Sequence, residues 1–92
     1  MKELTVIISA HNQGQFLYRT IRSLCLNKEE SNEIIVVLDT PTEETQHYAE
    51  ISVQRFPSVR IIETKLRDIG LSRNKGAAIA KGEFLLFLDA VS

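Results

Sequence analysis

Apolar residues gather in four short runs, at 4–9, 33–38, 59–63 and 83–88, each dense in Val, Ile, Leu or Phe. The runs are nearly continuous. A strand with one wet face alternates apolar and polar residues, whereas a parallel strand covered on both faces does not. Four buried parallel strands are the expectation.

Helical spacing fills the gaps between them. Phe16, Leu17, Ile21, Leu24 and Cys25 fall on one face, with Asn12 the expected N-cap and Gln15 three residues on. A second helix is expected to open at Thr40-Pro41-Thr42-Glu43. There Thr40 would cap, Pro41 would take the first helical position, and Glu43 and Glu44 would meet the positive end of the dipole. Ala49, Val53 and Phe56 form its expected inward face, and Pro57 helps to stop it. A third helix is predicted over 70–81, with Gly82 just past its end as a C′ residue.

The order is β-α-β-α-β-α-β. It predicts an α/β fold, a three-layer α/β/α arrangement around a parallel four-stranded sheet with right-handed crossovers. Such a unit is half of a doubly wound, Rossmann-like domain. The 92 residues allow one small domain.

Composition narrows the function classes. Eleven basic residues face 12 acidic ones, for a net charge of −1. A nucleic-acid binder would carry a surplus of Lys and Arg, so none is expected as a partner. A single cysteine, Cys25, cannot form an internal disulfide, which favours a reducing compartment. Its place between Leu24 and Leu26 suits packing. The first apolar run is too short to cross a membrane and has no signal-peptide cleavage pattern. The chain is therefore expected to be cytoplasmic.

In open parallel sheets, ligands bind beyond the carboxyl ends of the strands. The residues delivered there are Ala10, His11 and Asn12 after strand one, Asp39 after strand two and Asp89 after strand four. Strand three leads to Lys65, Arg67 and Asp68, then to Arg73-Asn74-Lys75 near a helix start. Helix N-termini and cations suit phosphate. A carboxylate can take the ring N–H of a base or hold a metal that neutralises diphosphate. Each residue also has a plainer use as turn, cap or solvated face; their common edge is what points to a nucleoside diphosphate.

Other nucleotide signatures are missing. Strand one is followed by no G-x-G-x-x-G, and there is no G-x-x-x-x-G-K-[ST]. One Cys and two separated His make no zinc site, and no Ser or Cys sits in a nucleophile elbow.

Four segments carry a resemblance to the family 2 glycosyltransferases of the GT-A fold. Val6-Ile7-Ile8-Ser9-Ala10-His11-Asn12 looks like their opening V-I-I-P-[TA]-Y-N, and residues 35–43 resemble V-V-D-D-G-S-T-D. Gly70-Leu71-Ser72-Arg73-Asn74-Lys75-Gly76 is similar to G-x-x-x-A-R-N-x-G with one residue missing. Ala80-Lys81-Gly82-Glu83-Phe84-Leu85-Leu86-Phe87-Leu88-Asp89-Ala90 follows A-K-G-E-Y-I-x-F-L-D-A.

The resemblance implies the nucleotide-sugar-binding half of such a domain, with a UDP-sugar as partner. His11 stands where a tyrosine stacks on the base, Asp39 where a carboxylate takes the base N–H, and Arg73 where an arginine approaches the base. Asp89 opens the D-x-D that faces ribose and a divalent metal, Mn or Mg. Ser9 stands for proline, His11 for tyrosine and Leu38 for the first Asp of a pair. Val91 stands for the second D-x-D carboxylate, and an isopropyl group cannot ligate a cation.

The unit is expected to stop short near Asp89, without the family's general base. It would then be inactive alone and would self-associate through the uncovered edge of strand four. The expected function is one half of a sugar transferase. The competing readings are a binding or interaction module without a complete metal site, and a nucleotidyltransferase, which lacks support because no glycine-rich basic loop follows strand one.

Overall fold

The computed structural model describes residues 4–26 and 33–89. The elements are β1 (Leu4–Ala10), α1 (Gln15–Leu26), β2 (Glu33–Asp39), α2 (Glu43–Arg55), β3 (Val59–Thr64), α3 (Ile69–Ile79) and β4 (Phe84–Asp89). All strand pairs are parallel and the sheet order is β3-β2-β1-β4. The expected α/β fold and element order are what the structure has. The strand order runs outward from β1 through β2 to β3 and then switches to the other side of β1, so the switch point lies between β1 and β4.

The central strands carry the core because they are covered on both faces. Val6, Ile8, Ala10, Ile34, Val36 and Leu38 pack with Leu17, Ile21 and Ala49 from α1 and α2. Ile7, Ile35 and Val37 pack on the opposite face, against Ala77, Ile79 and Ala80 at α3. Gly76 permits the close approach of α3. A Cβ there would lie 2.8 Å from Ile7 Cγ2 and 2.9 Å from Val37 Cγ2. Cys25 packs against the α1–α2 core, as its apolar neighbours suggest.

At the amino ends of the strands, buried Glu33 ties the sheet together. Its carboxylate accepts from the Thr5 hydroxyl at 2.8 Å, the Lys81 N–H at 2.9 Å and Arg60 at 3.2 Å. Burial pushes its pKa up, but the Lys81, Thr5 and Arg60 donors more than offset this and hold it below the usual range.

Several expected caps move. The N-cap of α2 is Thr42, whose side chain accepts from the Thr45 N–H, while Thr40 sits upstream with φ 48°. Pro41 therefore precedes the cap instead of following it. Asn12 does not cap α1. The first turn starts at Gln13 and Gly14, whose carbonyls accept from the Phe16 and Leu17 N–H groups. The Glu44 carboxylate lies against Gly14 on the side a Cβ would occupy, and Gly14 has φ 55°. Val53 is exposed; the inward face of α2 is Thr45, Ala49 and Ser52. Helix α3 ends at a C-cap on Ala80. Gly82 serves a different purpose from the one expected: a Cβ there would stand 2.6 Å from the Thr5 backbone nitrogen.

Candidate functional site

A cavity of about 670 Å³ opens at the carboxyl ends of β1, β2 and β4, a volume suited to a small molecule. Ser9, Ala10, His11, Gln13, Asp39, Thr40, Arg67, Asp68, Ile69 and Asp89 line it. Asp39 and Asp89 close strands that flank β1 on opposite sides. Two inter-strand spacings separate their backbones, about 10 Å.

Asp39 is the most heavily bonded group in the cavity. Its Oδ1 accepts from the Leu66 and Arg67 N–H groups and its Oδ2 from the Asp68 N–H and the Ser72 hydroxyl, each at 2.9 Å. The Thr40 hydroxyl adds a bond to Oδ1 at 3.3 Å. An ionised carboxylate offers about four lone-pair sites, so these donors fill it. Desolvation pushes the group up, while the donors, led by the Arg67 N–H and the Ser72 hydroxyl, hold it well below the usual carboxylate range. The loop from β3 to α3 wraps this carboxylate as a backbone nest, with Arg67 at φ 52°. Asp39 was expected to offer an open acceptor to a base. Here it fastens the loop that walls the cavity.

Asp68 then caps α3, its Oδ1 accepting from the Leu71 N–H at 2.9 Å. On the other side, the Asp39 backbone carbonyl accepts from His11 Nδ1 at 3.0 Å. A carbonyl only accepts, so Nδ1 carries the proton and Nε2 is left as the ring's acceptor when the imidazole is neutral. The His11 N–H bonds the Gln13 side chain at 2.6 Å, which shapes the turn after β1. Thr40 is a β-branched residue in the left-handed region, a strained geometry of the kind that gathers at functional sites.

Of the expected site residues, Ala10, His11, Asp39 and Asp89 line the cavity. Asn12 is exposed outside its lining, and Arg73 reaches it through Asp89. The Arg73 guanidinium donates to Asp89 Oδ1 at 2.8 Å and lies 5.9 Å from the centre of the Phe87 ring. Lys65 and Lys75 do not join this cavity; they line a separate groove beside β3 with Ile62 and Leu66. Ser9, Gln13, Thr40 and Ile69 are lining residues that sequence reasoning did not single out as site residues. The strained Thr40 was at least locatable, because the resembled pattern has a glycine at its position.

A divalent metal was expected through Asp89. Among the described residues, no group of three or more His, Cys, Asp and Glu side chains could hold one. Asp89 is already paired with Arg73, Asp39 is filled, Asp68 is a cap, and Val91 lies outside the described residues. This donor set does not fit a divalent cation.

No helix among the described residues is long and apolar enough to cross a membrane. The family described as glycosyl transferase family 2 matches residues 5–90. The chain is 33% identical over 98 residues to the amylovoran biosynthesis glycosyltransferase AmsB of Erwinia amylovora, covering 98% of this chain and 32% of that protein. It is 39% identical over 93 residues to the human polypeptide N-acetylgalactosaminyltransferase 10, covering 94% of this chain and 15% of the relative. It thus spans a third or less of those proteins. Among solved structures, the mannosyltransferase PcManGT of Pyrobaculum calidifontis, in complex with GDP-Man and Mn2+, superposes with a TM-score of 0.83 at 19% identity. That likeness covers 96% of this chain and 27% of the neighbour, and it is one of fold. A family match over nearly the whole sequence, on the fold its motifs imply, places this chain in glycosyl transferase family 2.

Proposed function

We propose that the cavity is the donor site of a glycosyltransferase and takes the nucleoside diphosphate of a UDP-sugar. The observation that carries this reading is the convergence of His11, Asp39, Arg67 and Asp89 on one cavity at the carboxyl ends of the strands, where the strand order switches sides of β1. Uridine is the base implied by the resembled opening segments. With Asp39 filled, the base is held chiefly by the His11 ring and by the backbone of the turn after β1. Arg67 is the cation that lines the cavity, and Arg73 is the fixed positive charge beside Asp89.

The second substrate, the acceptor, is outside what these residues specify. None of them is assigned as its general base. The chain is thus the donor-binding part of the reaction, and we expect it to transfer no sugar alone; the lone thiol favours a cytoplasmic setting. Titration of UDP, GDP and ADP followed by amide NMR tests the reading. UDP should shift amides near 10–13, 39–40 and 67–69 and bind more tightly than ADP. No shift with any of the three would refute a nucleotide site, and tighter binding of GDP would replace uridine by guanosine. Acceptor-dependent UDP release by this chain would refute the assignment of a donor-binding part alone.

A further inference from the structure

We infer that nucleotide binding at this cavity needs no divalent cation, because Arg73 already compensates Asp89 and Arg67 is left to meet the diphosphate. The inference rests on the donor-site reading and departs from the metal that the resemblance implies. It starts from where the carboxylates spend their lone pairs.

A hard divalent cation is held by oxygens with lone pairs to give. Asp39 has none left after the Leu66, Arg67 and Asp68 N–H groups and the Ser72 hydroxyl. Asp68 gives Oδ1 to the Leu71 N–H as the cap of α3. Asp89 is 59% exposed, but its Oδ1 is held by the Arg73 guanidinium at 2.8 Å. Two residues on, Val91 brings no donor atom. Among the described residues, no three His, Cys, Asp or Glu side chains gather to hold a metal.

Arg73 is held where it compensates Asp89. Phe87 and Asp89 share one face of β4, and Arg73 runs along it, 5.9 Å from the Phe87 ring centre, with Nε buried. A guanidinium stays charged at any pH the fold meets, so loss of a proton cannot release the carboxylate. A metal ion arriving at Asp89 would meet a like charge at contact distance and would have to break a charge-assisted hydrogen bond. Arg67 is the contrasting cation. Among the described residues the ion pairs are Arg60–Glu33 and Arg73–Asp89, so Arg67 pairs with no carboxylate. Its N–H on Asp39 fixes its backbone at φ 52°, and it lines the cavity. The planar fork of donors on Arg67 matches phosphate oxygens, and its place in the wall is set before any ligand arrives.

Calorimetry of UDP and of uridine tests the inference on the wild-type chain and Arg67→Gln, in chelator and in millimolar MnCl2 or MgCl2. The wild type should bind UDP equally in all three buffers. Arg67→Gln should lose about tenfold for UDP, the worth of one charge-assisted hydrogen bond, and nothing for uridine, which lacks the phosphates. Without nucleotide, Mn2+ should broaden the wild-type amides of 87–89 no more than those around exposed Glu50. In Arg73→Gln, where Asp89 loses its partner, that broadening should rise; no rise would overturn the part assigned to Arg73. Tighter UDP binding by the wild type in either metal, selective broadening of its amides at 87–89, or equal losses of UDP and uridine in Arg67→Gln would overturn the inference and leave the donor site standing. Failure of UDP to bind in every buffer would overturn both.

Discussion

Replacing Asp39 should loosen the cavity wall before it affects the sheet. The carboxylate accepts three consecutive backbone N–H groups, from Leu66, Arg67 and Asp68, and the Ser72 hydroxyl, all at 2.9 Å. In Asp39→Asn one oxygen can keep the Leu66 and Arg67 bonds. The amide nitrogen then faces the Asp68 N–H, donor to donor, while the Ser72 hydroxyl can turn and accept. One N–H left unpaired costs about 1–3 kcal/mol, and the remaining bonds lose their charge assistance. With partial access to water, a loss of about 2 kcal/mol follows, and about 3 kcal/mol for Asp39→Ala. In urea, at ~1 kcal/mol per molar for so small a chain, the Asn variant should melt about 1–2 M earlier. Amide exchange should speed up first at 66–68, ahead of the core strands.

The acid limb gives the sign. The folded-state pKa of Asp39 is depressed, so its contribution is fully present above the unfolded value near ~4 and fades as pH falls through the folded value, below the usual carboxylate range. Glu33 is also depressed and acts in the same direction. The difference between wild type and Asp39→Asn isolates the Asp39 share, and that gap should narrow from pH 4 downwards. A variant within ~0.5 kcal/mol of wild type, or a gap independent of pH, would show that the nest does not need this carboxylate.

Two other outcomes are expected. Gly76→Ala should gain helix propensity of ~1 kcal/mol but force a methyl against Ile7 and Val37, for a net loss of about 1–2 kcal/mol in thermal or urea melts; a neutral or stabilising change would mean that α3 can back away from the sheet. The open edge of β4 carries Phe84, Leu85, Leu86 and Phe87 at 61%, 41%, 43% and 41% exposure, so sedimentation at micromolar concentration should show self-association that weakens in Leu86→Lys, whereas a clean monomer would show that the edge tolerates water.

Continuous apolar runs made the strands legible. The strand limits agree to within a residue, but burial on both faces holds for β1 and β2 only: β4 carries the same continuous apolar run and lies exposed at the sheet edge, so the pattern gave the strand and not its burial. Helix starts were harder. Thr40 and Thr42 offer the same hydroxyl around one proline, and only the tertiary structure chooses between them: Thr40 is drawn into the left-handed region beside Asp39, while the Thr42 N–H bonds the His11 carbonyl at 2.9 Å. The site followed the same division. Strand-end carboxylates could be placed by the rule that ligands bind at carboxyl ends. Which of them remain open could not, because four of the five donors to Asp39 come from residues 27–33 positions later. Lys65 and Lys75 looked equivalent to Arg67 in the sequence but project along β3 instead of into the cavity.

The three carboxylates at the cavity therefore have unequal chemistry despite their shared edge. Asp39 spends its charge on three amides and a hydroxyl, and Asp68 spends part of its own on the first turn of α3. Both shape the cavity wall that carries Arg67 and Ile69. Asp89 differs. Its partner is a guanidinium on another element, its side chain stays 59% exposed, and the hydroxyl beside it in register is unpaired. On the proposed donor-site reading, recognition is polarised: the β2 end would supply rigidity and the β4 end hydrogen bonds still to be made. A ligand that binds here should order residues at the β4 end while leaving the exchange rates at 66–68 almost unchanged, since the nest is already complete without it. Strong protection of 66–68 on nucleotide binding would reverse that assignment and return Asp39 to direct contact with the base.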